Sequence, residues 1–187
     1  ISRWQLRQAA AAIHRGGVIA YPTEAVFGLG CDPLNPIAVQ RLLDIKHRPM
    51  HKGLILIASR LEQLQPFIAP LDRANLAILQ ESWPGPTTWL LPARADTPRW
   101  LRGEHSSIAV RVTAHPLASA LCDAAGHALV STSANPAGLR PARQPLRVRK
   151  YFPNQLDAIL TGNVDLQSSP TCIRDLTTKK LIRPASS

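Results

Sequence analysis

Proline is the feature that most restricts how this chain can fold. Its 187 residues include seventeen prolines against ten glycines, and a proline inside a helix or a central strand removes a backbone hydrogen bond. A long helical bundle or coiled coil is therefore excluded. The longest apolar run, residues 54–58, is far shorter than the ~20 residues of a membrane span. We expect one domain over residues 1–187, built from short elements and not associated with a membrane.

Helix and strand patterns alternate between these proline stops. Amphipathic spacing and capping residues predict helices at 5–15, from Asn35-Pro36 to Pro49, from a capping box at 59–62, at 71–82 and at Pro116–Ala125. Apolar and β-branched runs predict strands at 18–21, 54–58, 87–91, Ser107–Val112, 128–130, 171–176 and 180–183. The predicted fold class is α/β (α+β), with a twisted, open, mixed sheet and flanking helices.

Charge points to an anionic partner. The chain has seventeen Arg and five Lys against twelve acidic residues, a net charge of +10. The densest basic run, residues 140–150, contains no acidic residue. Such a surface favours nucleotide, RNA or acidic lipid, although a coding bias toward Arg would give the same composition. Three widely spaced cysteines (Cys31, Cys122 and Cys172) make a disulfide framework improbable and predict buried thiols in a reducing, cytoplasmic compartment.

Three polar clusters follow predicted strands or helices, where open α/β sheets bind ligands. The first is Thr23-Glu24. The second, residues 46–52, holds three strong cations and suits a di- or triphosphate, although cations are also favoured at any helix C-terminus. The third, residues 131–135, is rich in hydroxyls and could hold an anion or a carboxylate, or could form an ordinary turn.

Several familiar catalytic motifs are missing from the sequence. It has no G-x-x-x-x-G-K-[ST], no G-x-G-x-x-G, no H-E-x-x-H and no G-x-S-x-G. We therefore expect no P-loop, no metal held by protein ligands and no serine nucleophile.

Five blocks of sequence together resemble the YrdC/TsaC family, in its short bacterial form. They are Tyr21-Pro-Thr-Glu-Ala-Val-Phe-Gly-Leu-Gly30, Lys46-His-Arg48-Pro49 with Lys52, Trp83-Pro-Gly-Pro86, Ser107-Ile-Ala-Val-Arg-Val112 and Ser131-Thr-Ser-Ala-Asn135. The resemblance implies a twisted sheet around a basic concave cavity. It also implies a nucleotidyltransferase, threonylcarbamoyl-AMP synthase, which converts L-threonine, bicarbonate or CO2, and ATP to threonylcarbamoyl-adenylate and pyrophosphate.

The implied substrates and partners follow from this resemblance. Mg²⁺ is expected on the ATP phosphates, and tRNA is the final acceptor. A threonylcarbamoyl-transfer protein complex is expected to deliver the group to adenosine 37 of tRNAs that read codons beginning with A, which forms t6A.

The resemblance also assigns residues. Those matching catalytic positions are Lys46, Arg48 and Lys52. Those matching threonine positions are Thr23, Arg111, Ser133 and Thr171. Those matching ATP positions are Arg48, Lys52, Thr88, Asn135, Arg143 and Arg183. The segment 138–145 is expected to be a mobile flap over the site.

Two alternatives remain open from the sequence. The basic composition and four Trp residues also suit a non-catalytic module that binds double-stranded RNA or tRNA. An inactive paralogue would keep the fold and the basic cavity. Stoichiometric binding of ATP and threonine separates an enzyme from a pure RNA module.

Overall fold

The computed structural model describes residues 2–165 and 171–184. The expected domain of residues 1–187 therefore includes positions 1, 166–170 and 185–187, which lie outside the described residues. The helices are α1 (Arg3–His14), α2 (Pro36–Lys46), α3 (Arg73–Gln80), α4 (Arg99–Arg102), α5 (Pro116–Ala125) and α6 (Pro145–Tyr151). Two short 3₁₀ turns lie at Met50–Lys52 and Leu61–Gln63.

The strands form one mixed sheet, as predicted. They are β1 (Ile19–Pro22), β2 (Phe27–Gly30), β3 (Ile55–Ala58), β4 (Thr88–Pro92), β5 (Ser107–Val112), β6 (Leu129–Ser133), β7 (Ala158–Ile159), β8 (Ile173–Asp175) and β9 (Leu181–Arg183). Their order within the described residues is β7-β1-β2-β6-β3-β5-β4-β8-β9. The pairs β1–β7, β3–β5 and β4–β8 are parallel and the other pairs are antiparallel.

Local sequence sets the ends of the principal helices. The Asn35 side chain accepts hydrogen bonds from two N–H groups of the first turn of α2, and Pro36 follows it without an N–H to satisfy. Helix α5 ends at Gly126, which has φ 81°, a left-handed conformation that glycine adopts without strain. Helix α2 ends at His47, also left-handed with φ 46°, so the chain turns sharply into the loop before β3.

The sheet buries apolar side chains on both faces. Along β1, Ile19 and Tyr21 join the cluster packed under α1 and α5, whereas Ala20 belongs to the cluster on the opposite face. This alternation follows the two-residue period of a strand. All four residues of β1 are buried, so the loop that follows β1 starts from a closely packed strand.

Some elements differ from the sequence predictions. The capping box at Ser59 opens only the 3₁₀ turn Leu61–Gln63, because Ser59 Oγ bonds to Asp123 and Pro66 leaves no room for a longer helix. Strands β2 and β7 and helices α4 and α6 were not predicted. Cys31 and Cys122 are buried as expected, but Cys172 is only half-buried.

None of the helices in the described ranges is long and apolar enough to cross a membrane.

Candidate active site

A cavity of about 730 Å³ opens where the β1–β2 loop, the start of β3 and the end of β6 meet. This volume lies within the range of small-molecule sites. Five arginines line it: Arg48, Arg111, Arg140, Arg143 and Arg183. Small or hydroxyl residues and apolar groups complete the lining: Thr23, Ala25, Val26, Phe27, Gly28, Leu54, Ile55, Ser131, Thr132, Ser133, Pro141 and Thr171. We call this the arginine cavity.

The cavity carries strong positive charge. No Asp or Glu stands among the described residues that line it. Burial, and then the charge of Arg183, lowers the pKa of Arg48 from its ordinary value, because a cation next to another cation and away from water is disfavoured. Such a site favours an anionic ligand.

Arg48 is held by the loop between α2 and β3. Its Nε and Nη2 donate to the Gly53 carbonyl at 3.2 and 2.9 Å. Gly53 has φ 63°, and a Cβ there would lie 3.1 Å from carbonyl oxygens of α4. The loop is pinned again where Leu54 N donates to Leu101 O at 2.7 Å. Glycine at position 53 allows the loop to pack this closely against α4. The packed loop holds Arg48 in the lining of the cavity.

Lys46 lies behind the cavity wall and does not line it. Its ammonium donates to Ser133 O at 2.7 Å, to Asn135 Oδ1 at 3.2 Å and to Asn135 O. Burial, and then the neighbouring charge of Arg48, lowers the Lys46 pKa to about 8. Lys46 therefore connects the end of α2 to the turn after β6.

The turn after β6 is further tied by its own side chains. Ser133 Oγ donates to Asn135 Oδ1 at 2.6 Å, and Asn135 Nδ2 donates to Leu139 O at 2.7 Å. Ala142 is fully buried, donates to Ala134 O and accepts from Phe27 N. The expected flap at 138–145 is thus anchored at Ala142, and Pro145 already begins α6.

Side-chain contacts also join the β1–β2 loop to β5. Thr23 Oγ1 donates to Val26 O at 2.7 Å, which closes the loop on itself. Arg111 of β5 is buried, and its Nη2 lies 3.3 Å from Oε2 of Glu24. The other oxygen of Glu24 accepts from Thr113 Oγ1 at 2.6 Å.

Seven of the residues assigned from the sequence line the arginine cavity: Thr23, Arg48, Arg111, Ser133, Arg143, Thr171 and Arg183. Four do not: Lys46, Lys52, Thr88 and Asn135. Lys52 is exposed on the 3₁₀ turn. Thr88 of β4 is fully buried, and its Oγ1 has no hydrogen-bond partner among the described residues, so its assignment to the ATP site stays a prediction.

Other residues of the site were not assigned from the sequence. Arg140, Ser131 and Thr132 line the cavity, and Glu24 supports it from behind. Arg140 belongs to the densest basic run, and the others belong to the polar clusters at Thr23-Glu24 and at residues 131–135. The sequence therefore marked their segments, but not which side chains turn inward.

No group of three or more His, Cys, Asp or Glu residues that could hold a metal ion occurs in the described part of the chain. Arginines and hydroxyls are poor metal ligands, so this donor set suits a metal carried by a phosphate ligand.

Comparison with known proteins shows the family of this chain. Residues 11–185 match the family model of Sua5, YciO and YrdC, described as telomere recombination. The chain belongs to the Sua5/YciO/YrdC family. The predicted family is thereby confirmed. A relative from Nitrosococcus oceani, 54% identical over 96% of this chain and 97% of its own, is named threonylcarbamoyl-AMP synthase. A relative from Stutzerimonas stutzeri, 52% identical over 99% and 100%, has the same name.

Solved structures of the family share the fold. Sua5 from P. abyssi, complexed with L-threonine, superposes with a TM-score of 0.91 at 31% identity over 98% of this chain. This chain spans about 55% of that Sua5 chain. E. coli YciO superposes with a TM-score of 0.87 at 27% identity, over 100% of this chain and 91% of its own.

Proposed function

We propose that this protein is a threonylcarbamoyl-AMP synthase whose reaction takes place in the arginine cavity. The observation that carries the proposal is that Arg111 of β5 and Arg48 of the loop before β3 line the same cavity. One arginine can pair with a carboxylate and the other with a triphosphate, so two anionic substrates can meet. Relatives that match nearly the full chain and are named threonylcarbamoyl-AMP synthase support the proposal.

The reaction needs charge screening and positioning more than it needs a protein nucleophile. Bicarbonate gives CO2 by losing hydroxide, and the threonine amine attacks the CO2 carbon to form a carbamate. The proton that the amine loses combines with the hydroxide as water. A carbamate oxygen then attacks the α-phosphorus of ATP, and the bond to pyrophosphate breaks. Nucleophile and electrophile are both negatively charged, so fixed cations lower the barrier by holding them together.

Threonine occupies the wall formed by β5 and the β1–β2 loop. The buried guanidinium of Arg111 pairs with its carboxylate. The hydroxyls of Thr23, Ser133 and Thr171 also line the cavity and can bond to the threonine hydroxyl or amine.

The nucleotide occupies the wall formed by the Arg48 loop and β9. Arg48, Arg143 and Arg183 bind the phosphates, and Lys52 extends this charge at the exposed loop. Lys46 acts through Asn135 by holding the turn in place. Bound Mg²⁺ would neutralise part of the phosphate charge, carried by the ATP.

The product is an activated acyl donor, so the proposal includes a partner that consumes it. We assign that role to a threonylcarbamoyl-transfer complex that modifies adenosine 37 of tRNA. Arg147, Arg149 and Lys150 are exposed on α6, which follows the cavity-lining Arg140 and Arg143 in the chain. This basic face of α6 suits contact with the tRNA backbone.

Product formation tests the proposal. The protein is incubated with ATP, Mg²⁺, bicarbonate and labelled L-threonine, with serine as the control substrate. We expect an acid-labile adenylate and one pyrophosphate per adenylate, both dependent on threonine and bicarbonate. If no product forms, while RNA still binds, the proposal is wrong and a non-catalytic RNA module or an inactive paralogue takes its place.

A further inference from the structure

We propose that Glu24 is a positioning residue for threonine, which fixes the distance between Thr23 and Arg111. This inference rests on the proposed function and adds a residue to it. Glu24 lies in the β1–β2 loop, between Thr23 and the cavity-lining Ala25, yet its own side chain is turned away from the cavity lining. The side chain is only 10% exposed.

Glu24 uses its two oxygens on two different neighbours. Oε1 accepts from Thr113 Oγ1 at 2.6 Å and from Ala114 N at 3.3 Å. Oε2 lies 3.3 Å from Nη2 of Arg111. Thr113 and Ala114 directly follow β5, the strand that carries Arg111. One carboxylate thus fastens the β1–β2 loop to the end of β5 and faces the guanidinium on that strand.

Both partners of this ion pair are nearly excluded from water. The Arg111 side chain is 5% exposed, and its Nε has no hydrogen-bond acceptor among the described residues. Oε2 of Glu24 likewise has no hydrogen-bond donor among them, so the pair at 3.3 Å is electrostatic. A buried guanidinium without a counter-charge is costly, and Glu24, which does not line the cavity, supplies that charge.

Substitution of Glu24 by Gln removes the charge and keeps the size. The amide then places an NH2 group either against the Arg111 guanidinium or against the Thr113 hydroxyl and the Ala114 N–H. Either the contact with Arg111 or the hydrogen bonds from Thr113 and Ala114 are therefore lost. We expect Glu24→Gln to raise the KM for threonine about tenfold, as for the loss of a charge-assisted hydrogen bond. The KM for ATP should change by less than about twofold, because the nucleotide wall is built from other elements.

Two variants of Thr113 and a control at Thr97 separate an effect on threonine positioning from an effect on folding stability. Thr113→Val removes the hydrogen bond from Thr113 Oγ1 to Glu24 Oε1 with almost no change in volume, and it should also raise the KM for threonine. Thr113→Ser keeps a hydroxyl at this position, so its KM for threonine should be that of the wild type. Thr97 is the matched control, since it is equally buried and its Oγ1 donates to Phe67 O at 2.7 Å, away from the cavity. Thr97→Val should lower the melting temperature without changing the threonine KM. If Glu24→Gln does not fold, the Thr113 variants decide alone.

The outcomes distinguish this proposal from the proposed function. A wild-type protein that makes no threonine-dependent product contradicts the proposed function. Calorimetric measurement of threonine binding to the wild type and the same variants then tests the role of Glu24, and equal affinities would overturn that role. If the wild type is active and Glu24→Gln raises both KM values together, leaves both unchanged, or lowers the threonine KM, the proposal is overturned. A lower KM would mean that Glu24 competes with threonine for Arg111.

Discussion

At the scale of single residues, Arg48 joins the geometry of the loop between α2 and β3 to the charge of the cavity. It is half-buried, anchored to Gly53 and close enough to Arg183 for the two charges to interact. Reversal of its charge places an anion where we propose that the triphosphate binds. We expect Arg48→Glu to lower the rate of pyrophosphate release at least about 100-fold, as for the loss of a group that stabilises developing charge.

The control for Arg48→Glu is an arginine outside the cavity. Arg73 is exposed in the first turn of α3, where an acidic residue is favoured by the helix dipole. Arg73→Glu should therefore leave the rate unchanged. Equal rates of pyrophosphate release in Arg48→Glu and the wild type would remove the triphosphate role from this loop.

Lys46 makes stability depend on pH. Its pKa in the folded protein is about 8, below the ordinary value of 10.5. Between these two values the unfolded chain binds more protons than the folded one, so this group adds stability to the folded protein as the pH rises from 8 to 10.5. We expect the wild type to gain stability relative to Lys46→Met over that window, measured by denaturant unfolding at pH 7, 8.5 and 10. A difference that stays constant with pH would mean that Lys46 is not desolvated.

At the scale of elements, the loop that carries Arg48 depends on close packing against α4. Gly103 ends α4 with φ 65°, and a Cβ there would meet the His51 carbonyl and lie 2.8 Å from Gly53 N. We expect Gly103→Ala to cost about 2–3 kcal/mol of unfolding free energy and to raise the KM for ATP by displacing the Met50–Lys52 turn.

Gly126 provides the matched control. It also has a left-handed φ, 81°, but no atom lies within 4 Å of a Cβ at this position. Gly126→Ala should cost only the backbone strain, about 1 kcal/mol, with no effect on the KM for ATP. Chemical denaturation and steady-state kinetics of both variants check this pair. Equal ATP KM values in the two variants would contradict the role of the Gly103 contact.

Elements with strong local signals could be predicted from the sequence. Helix α5 and strand β5 match their predicted bounds, because the Pro116 start, the Gly126 stop and the β-branched run of β5 agree with their tertiary surroundings. Strand β2 could not be predicted, since two of its four residues are glycine and its register is set by pairing with β1 and β6. Its place in the sheet comes from partners distant in sequence.

The residues of the site also include some that could be predicted from the sequence and some that could not. Blocks of sequence indicated Arg48, Arg111 and Ser133, and the structure brings all three to one cavity. Lys46 and Thr88 could not be placed, because the direction of a side chain depends on packing that a single sequence does not contain. Lys46 turns toward the β6 turn, and Thr88 is fully buried.

At the scale of the whole molecule, the five arginines of the cavity and the basic face of α6 carry part of the net charge of +10. We expect binding of tRNA to this face to be mostly electrostatic. If Arg147, Arg149 and Lys150 contact three phosphates, raising salt from 50 to 200 mM should weaken binding roughly 40-fold. The double variant Arg149→Glu with Lys150→Glu should reduce the salt dependence, as measured by fluorescence anisotropy.

A pair of adjacent lysines outside α6 serves as the control for RNA binding. Lys179 and Lys180 are exposed in the turn before β9, and the variant Lys179→Glu with Lys180→Glu carries the same change of charge. It should bind tRNA more tightly than the α6 variant does. Equal weakening by both pairs would mean that net charge, and not the face of α6, determines the affinity.

The most direct test of the whole account is a crystal structure with L-threonine and a non-hydrolysable ATP analogue bound together. The account predicts that both ligands lie in the arginine cavity, with the threonine carboxylate on Arg111 and the phosphates on Arg48 and Arg183. The threonine nitrogen would then face the α-phosphate. Either ligand bound outside this cavity, or threonine bound without contact to Arg111, would contradict the account.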